Sequence, residues 1–103
     1  MTDAGSALFA SVRNRFAHFG GFLLEESRSR RWASVTFQGA RHEIAFRLDG
    51  EGAEAEAERF LSSLDARDFP LRGHLLADIS LLAQERRPGF ARIRLEALTV
   101  EER

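Results

Sequence analysis

One stretch of the sequence, residues 74–86, constrains the fold more than any other. It reads His-Leu-Leu-Ala-Asp-Ile-Ser-Leu-Leu-Ala-Gln-Glu-Arg, and apolar residues such as Leu75 and Leu81 occupy alternate positions along it. An alternation of period two is typical of a β-strand that turns one face to a core. Two further leucines, Leu76 and Leu82, fall in the opposite and otherwise polar phase. The stretch therefore predicts a long strand with apolar residues on its second face as well.

The remaining segments predict an α+β domain, a two-layer sandwich of a five-stranded, mostly antiparallel sheet with two helices on one face. The apolar residues of 6–19 repeat every three or four positions, which is typical of an amphipathic helix. The alanines and glutamates of 53–64 favour a second helix. The predicted order is α-β-β-β-α-β-β. Its five strands are expected at residues 22–27, 32–38, 41–49, 74–86 and 90–100.

The length of 103 residues predicts a single domain, residues 1–103. Residues 1–5 and 101–103 are expected to be frayed, as is usual at chain ends. The order of the predicted elements is similar to that of the type III secretion chaperones and their small bacterial relatives. This resemblance covers the whole chain and implies a fold, while function has to be argued from a site.

The two C-terminal strands are predicted to pair as a hairpin. A three-residue loop or a bulge at residues 87–89 brings their apolar phases together, because it sets Leu81 opposite Leu95. On the second face, the same register gathers four apolar residues on an otherwise polar surface, which is typical of a contact site. We therefore expect a homodimer, or a complex with another protein. The predicted interface comprises Leu76, Leu82, Leu98 and Val100.

Arginine supplies all fifteen basic residues and lysine is absent, a bias that is typical of a GC-rich bacterial genome. The formal net charge of -1 provides no overall field that would attract nucleic acid. Several arginines nevertheless share polar strand faces with an aromatic residue, an arrangement by which sheets hold single-stranded nucleic acid. Glutamates on those faces favour cross-strand ion pairs instead. The nucleic-acid alternative rests on Arg41, Arg47, Arg92, Arg94 and Trp32.

A third alternative is a small-ligand domain or an enzyme with a pocket between the first helix and the sheet. His42 shares the apolar phase of its strand and faces Phe37 across the predicted hairpin, so these two residues would line it. His74 and Asp78 lie about 13 Å apart along one strand, too far for a direct hydrogen bond. The sequence contains no nucleophile elbow, phosphate-binding glycine loop or zinc-protease motif. We therefore expect a non-enzymatic protein with no catalytic residue, metal site or cofactor.

The location of the protein is predicted from three features of the sequence. The chain contains no cysteine, which excludes disulfides and thiolate metal sites. No apolar run approaches the ~20 residues that cross a bilayer. The first residues lack the basic segment of a signal peptide. We therefore expect a cytoplasmic protein without a membrane partner.

Overall fold

The computed structural model describes residues 3–102. Two helices accompany a four-stranded antiparallel sheet, so the α+β prediction is confirmed and the prediction of five strands is wrong. No helix within residues 3–102 is long and apolar enough to cross a membrane. In chain order the elements are α1 (Ala4–Asn14), β1 (Phe22–Ala33), β2 (Gln38–Asp49), α2 (Ala53–Ser62), a single turn of 3-10 helix (Ala66–Asp68), β3 (His74–Arg87) and β4 (Phe90–Glu101).

The strands lie in the order β1-β2-β4-β3, each antiparallel to its neighbours. Residues 34–37 join β1 to β2, and residues 88–89 join β3 to β4. The two central strands pair with each other, from Gly39 opposite Val100 to Asp49 opposite Phe90. The observed order α-β-β-α-β-β lacks the third strand on which the similarity to the type III secretion chaperones was based.

Strand β1 includes the first predicted strand, the loop predicted after it and the start of the second predicted strand. The polar residues 27–30 were predicted to be the loop that closes the first strand, but they continue β1 and pair with residues 41–44 of β2. Residues 39–40 were predicted to be a hairpin turn, but they lie inside β2. The actual turn is closed by Ser34, whose backbone N–H donates to the carbonyl oxygen of Phe37 at 2.8 Å. This half of β1 is an exposed edge without apolar alternation, so its sequence carries no strand pattern.

Helix α1 is shorter than the predicted helix over residues 6–19. It begins at Ala4 because Asp3 caps it, with one carboxylate oxygen accepting the backbone N–H of Ser6 at 2.8 Å. It ends at Asn14, and residues 15–18 form turns. Within the terminal segments that we expected to fray, residues 4–5 belong to α1 and Glu101 ends β4, whereas residues 1, 2 and 103 lie outside the described residues.

The core lies between the helices and one face of the sheet. Leu8 and Val12 of α1 are fully buried, and so is Phe46 of β2. Phe16 and Phe60 join Phe46 in an aromatic cluster with ring centroids 4.9–5.9 Å apart. Burial of each large apolar side chain stabilises the fold by about 1.5–3 kcal/mol, so this cluster anchors both helices. The opposite face of the sheet, called here the open face, is not covered by any helix of residues 3–102.

Both edge strands contain β-bulges. The pairing register shifts in β1 between Leu24 and Glu26, and twice in β3, after Leu76 and after Leu81. Each bulge adds one residue and inverts the side-chain phase of the strand beyond it. The predicted pair Leu81–Leu95 is confirmed, but Leu76 lies opposite Thr99 and not opposite Val100. Bulges also distort an exposed edge and so oppose pairing with another strand there.

Candidate functional site

His42 is the most deeply buried titratable group near any cavity of the described chain. It lies on the helix-facing side of β2 and is 2% exposed. Ser29 of β1 lies directly opposite, with its Oγ 2.6 Å from Nδ1 of His42. On the other side, Oγ1 of Thr99 in β4 lies 2.9 Å from Nε2. Three adjacent strands therefore hold the imidazole by both of its nitrogens.

The hydrogen bonds of Thr99 determine the tautomer of His42. The Thr99 hydroxyl donates to the carbonyl oxygen of Ala40 at 3.3 Å, and a carbonyl can only accept. Thr99 must then accept the proton of His42 Nε2, which leaves the lone pair of Nδ1 to accept the hydroxyl proton of Ser29. Burial lowers the pKa of His42, and the nearby His74 lowers it further, while the Asp3 carboxylate acts in the opposite direction. His42 is therefore a neutral base at neutral pH.

A cavity of about 480 Å³ opens beside this hydrogen-bonded pair, between the start of α1 and the sheet. Ser29 is an exposed residue of the edge strand and lines the cavity. Gly5 approaches closely, since a Cβ atom at that position would lie 2.9 Å from the Ser29 Oγ. The cavity is also lined by five charged or polar residues: Asp3, Arg31, His74, Thr99 and Glu101.

The predicted pocket is found only in part. His42 does line a cavity at the start of α1, but Phe37 does not, because it lies in the β1–β2 turn with 57% of its surface exposed. The space beneath the middle of α1 is filled by Leu8, Val12 and Phe16. Within residues 3–102, no group of three or more histidine, cysteine, aspartate or glutamate side chains could hold a metal ion.

The arginines of the nucleic-acid alternative lie on the open face and are engaged by carboxylates of the same chain. Arg92 donates to Glu25 at 2.8 Å, and Arg94 donates to Glu26 at 2.9 Å. The hydrogen bond from Arg92 is the main reason why the pKa of Glu25 is lowered. The other two arginines are also in ion pairs. Arg47 pairs with both Glu25 and Asp49, and Arg41 pairs with Glu96. A phosphate would have to displace these carboxylates to bind here.

At one end the open face changes from charged to apolar. Trp32, Gly39, Val100 and Leu75 lie side by side across β1, β2, β4 and β3, and Leu98 lies in the next row. The indole of Trp32 covers Gly39, where a Cβ atom would lie 2.9 Å from Trp32 Cζ2. Leu75 is 58% exposed and shares a shallow depression with Val100 and the turn residue Phe37. The apolar patch defined by these observations comprises Trp32, Phe37, Leu75, Leu98 and Val100.

The four predicted interface residues do not lie together. Leu98 and Val100 belong to the apolar patch, whereas Leu76 is 6% exposed in the core on the opposite side of the sheet. Leu82 is 45% exposed and lies at the second bulge of β3, away from the patch. Leu75 was not among the predicted interface residues, because only the bulge after Leu76 decides which of these two adjacent leucines enters the core.

Comparisons with known proteins add no further constraint on either site. No protein-family model matches the chain, and no match was found among curated proteins or among solved structures.

Proposed function

We propose that this protein is a protein-binding domain that forms a homodimer through the apolar patch of its open face. One observation carries the proposal: large apolar side chains from three strands and a turn meet at one exposed end of a face whose other end is held by internal ion pairs. Exposed apolar surface of this kind, bordered by polar residues, is typical of protein contact sites.

The patch fits a second copy of the chain. Each row of residues that lie side by side across the four strands of the open face can pack against the same row of another copy. A two-fold axis parallel to the strands, between β2 and β4, sets β1 of one copy opposite β3 of the other. Trp32 then faces Leu75 of the second copy across the interface. A large indole that packs against an aliphatic side chain is the usual form of an interface hot spot.

The charged residues beside the apolar patch also fit the proposed two-fold axis. Arg30, Arg41, Leu98 and Asp78 form the row next to the apolar one, with Arg30 and Asp78 at its two ends. Within residues 3–102, no ion pair involves either Arg30 or Asp78. The proposed axis sets Arg30 of each copy opposite Asp78 of the other, so that two intermolecular ion pairs border the apolar contact.

The size of the open face suits a dimer of moderate affinity. Four strands spaced by about 4.8 Å, each with about twelve residues rising by about 3.3 Å, give a face of roughly 750 Å². A standard interface buries about 800 Å² on each partner. The apolar patch occupies only one end of this face, so the rest contributes a hydrated polar rim. We therefore expect dissociation in the micromolar range.

Substitution of Leu75 with arginine tests the proposal. Leu75 is exposed, so Leu75→Arg should leave the fold intact while introducing an unpaired charge into the contact. Light scattering coupled to size-exclusion chromatography at micromolar concentrations should show a dimer for the unmodified chain and a monomer for the variant. Leu23→Arg is the matched control, because Leu23 is 46% exposed at the charged end of the same face. Leu82→Glu, outside the patch, should also remain dimeric.

Exchange of charges tests the orientation of the two copies. Arg30→Asp should weaken the dimer, because it sets two carboxylates opposite each other, and Asp78→Arg should weaken it by the same reasoning. The double variant Arg30→Asp/Asp78→Arg should restore the affinity. A chain that is monomeric throughout the micromolar range contradicts the dimer, and a double variant no better than the single ones contradicts this axis.

A further inference from the structure

The cavity beside His42 contains the arrangement by which serine side chains become nucleophiles. Such a site needs a hydroxyl that is hydrogen-bonded to a base, a second group that orients this base, and open space next to the hydroxyl. Ser29 Oγ lies 2.6 Å from His42 Nδ1, and Thr99 holds the opposite nitrogen. Ser29 lines the 480 Å³ cavity. We propose that Ser29 is a nucleophile and that His42 activates it as a base. Ser29 would then accept the acyl group of small esters or thioesters bound in this cavity.

The neutral state of His42 is what the reaction requires. A base that is already protonated cannot accept the hydroxyl proton, and burial keeps this imidazole neutral by lowering its pKa. The tautomer is also the required one, because the proton on Nε2 is held by Thr99 and the lone pair of Nδ1 points to Ser29. Thr99 is thus a positioning residue that has the role of the carboxylate in a serine–histidine–aspartate triad, but with the two imidazole nitrogens exchanged.

The proposed step transfers one acyl group and balances its protons. Ser29 Oγ attacks the carbonyl carbon and forms the new bond between oxygen and carbon, while its proton moves to His42 Nδ1. The tetrahedral intermediate then collapses, the bond to the leaving alcohol or thiol breaks, and the leaving group takes the proton from Nδ1. Water attacks the acyl-serine in the same manner, and the carboxylic acid is released as Ser29 recovers its proton.

Charged groups around the cavity determine how fast this acyl transfer can be, because they stabilise or oppose the charges that form during it. The transient imidazolium of His42 is stabilised by the Asp3 carboxylate and opposed by His74. Arg31 stands on the cavity wall and is the cationic group available to the negative oxygen of the intermediate. Its guanidinium also lies 3.6 Å from Glu101, which reduces its strength in that role. We therefore expect slow acyl transfer to activated esters.

The composition of this chain makes the assay unusually clean. Activated esters also acylate lysine, cysteine and tyrosine, and this sequence contains none of the three. The remaining background comes from exposed imidazoles, chiefly His18, whose side chain is 61% exposed. Ser27 provides a matched control, since it lies two positions before Ser29 on the same side of β1 but opposite Ile44, which has no base to offer.

The experiment uses p-nitrophenyl acetate with the full chain. We expect a burst of nitrophenolate close to one equivalent, and mass spectrometry of peptides should find the acetyl group on Ser29. Ser29→Ala should abolish both signals, while Ser27→Ala and His18→Gln retain them. His42→Gln should slow acylation at least about 100-fold, the usual contribution of a general base. The acylation rate of the unmodified chain should fall at low pH as His42 becomes protonated.

Two results would overturn the proposal. One is equal labelling of the Ser29→Ala variant and the unmodified chain, and the other is an acetyl group found only on His18 or the terminal amine. His42 is buried, so His42→Gln is interpreted only after circular dichroism confirms its fold, whereas Ser29 is exposed and its replacement keeps the test decisive. The monomeric Leu75→Arg variant should still react, which separates this proposal from the dimer.

Discussion

The hydrogen bonds of Thr99 allow a stability prediction of defined size. Thr99 is fully buried, and its hydroxyl accepts the Nε2 proton of His42 and donates to Ala40. Thr99→Val keeps the shape of the side chain and removes both bonds. The Nε2–H group of His42 is then left in the core without an acceptor, and a buried donor in that state costs about 1–3 kcal/mol.

The added methyl group offsets part of this cost, since burial of one apolar carbon contributes about 0.8 kcal/mol. We therefore expect the free energy of unfolding to fall by about 1–2 kcal/mol. For a domain of this size, each 1 kcal/mol lowers Tm by roughly 4–8 °C, so Tm should fall by roughly 4–16 °C. Replacing both partners, as in His42→Leu/Thr99→Val, should be less destabilising than the sum of the single changes, because no buried donor remains.

Urea unfolding followed by circular dichroism measures these differences, at one protein concentration so that dimer formation affects all variants alike. Thr36→Val is the matched control, because Thr36 is exposed in the β1–β2 turn and its replacement should change stability by less than about 0.5 kcal/mol. If Thr99→Val is as stable as Thr36→Val, the tautomer derived for His42 is wrong. Additive effects in the double variant would show that the two side chains are not coupled.

Two further predictions concern stability. Because burial lowers the pKa of His42, the unfolded chain takes up a proton near its ordinary value of about 6.5 while the folded chain does not. The contribution of His42 to the free energy of unfolding is therefore complete above about pH 6.5 and is lost as the pH falls towards the pKa of His42 in the folded chain. Urea unfolding at a series of pH values should show this decline. A free energy of unfolding that does not change with pH would argue against burial of a neutral imidazole. Gly39→Ala should lower the free energy of unfolding by about 1–3 kcal/mol in the same assay, because its Cβ atom would lie 1.9 Å from the carbonyl oxygen of Thr99 and the backbone must move. A Gly39→Ala variant with unchanged stability would contradict the close approach of β2 and β4 at this point.

Periodicity predicted the elements whose two faces differ in polarity. Strand β2 alternates buried and partly exposed positions from His42 to Leu48 except at the buried Ala45, and β4 alternates from Phe90 to Val100, so the sequence of each contains the pattern of a half-buried strand. Helix α2 was predicted from its alanines and glutamates, and it spans Ala53–Ser62 within the expected residues 53–64. In each case one face packs into the core between the helices and the sheet, and the other does not.

The predictions from the sequence were wrong where the two faces of a strand do not differ in polarity, or where a bulge shifts the alternation. Residues 27–31 of β1 are exposed at all positions, so no alternation distinguishes them from a loop. Gly39 resembled a turn residue, but it is small because Trp32 and the Thr99 backbone approach it. The bulge after Leu76 moves the apolar phase by one residue, and nothing in the local sequence marks it.

The candidate site around His42 could not be predicted from the sequence for a related reason. Ser29 lies in the half of β1 that was predicted to be a loop, and it meets His42 only because β1 continues past that point. Thr99 lies 57 positions after His42 in the chain. Separations of that length are invisible to motif analysis, which depends on fixed local spacing.

The pairing of β2 with β4 also has a consequence for how the chain folds. Each outer pair of strands is a hairpin of neighbouring segments that closes through a short turn, which typically forms within microseconds. The two hairpins meet only along β2 and β4, and this contact requires closure of the long segment that contains α2. We expect the joining of the two hairpins to limit the folding rate. His42 and Thr99 lie on opposite sides of that seam, so the chemistry of the site should appear only in the last step of folding.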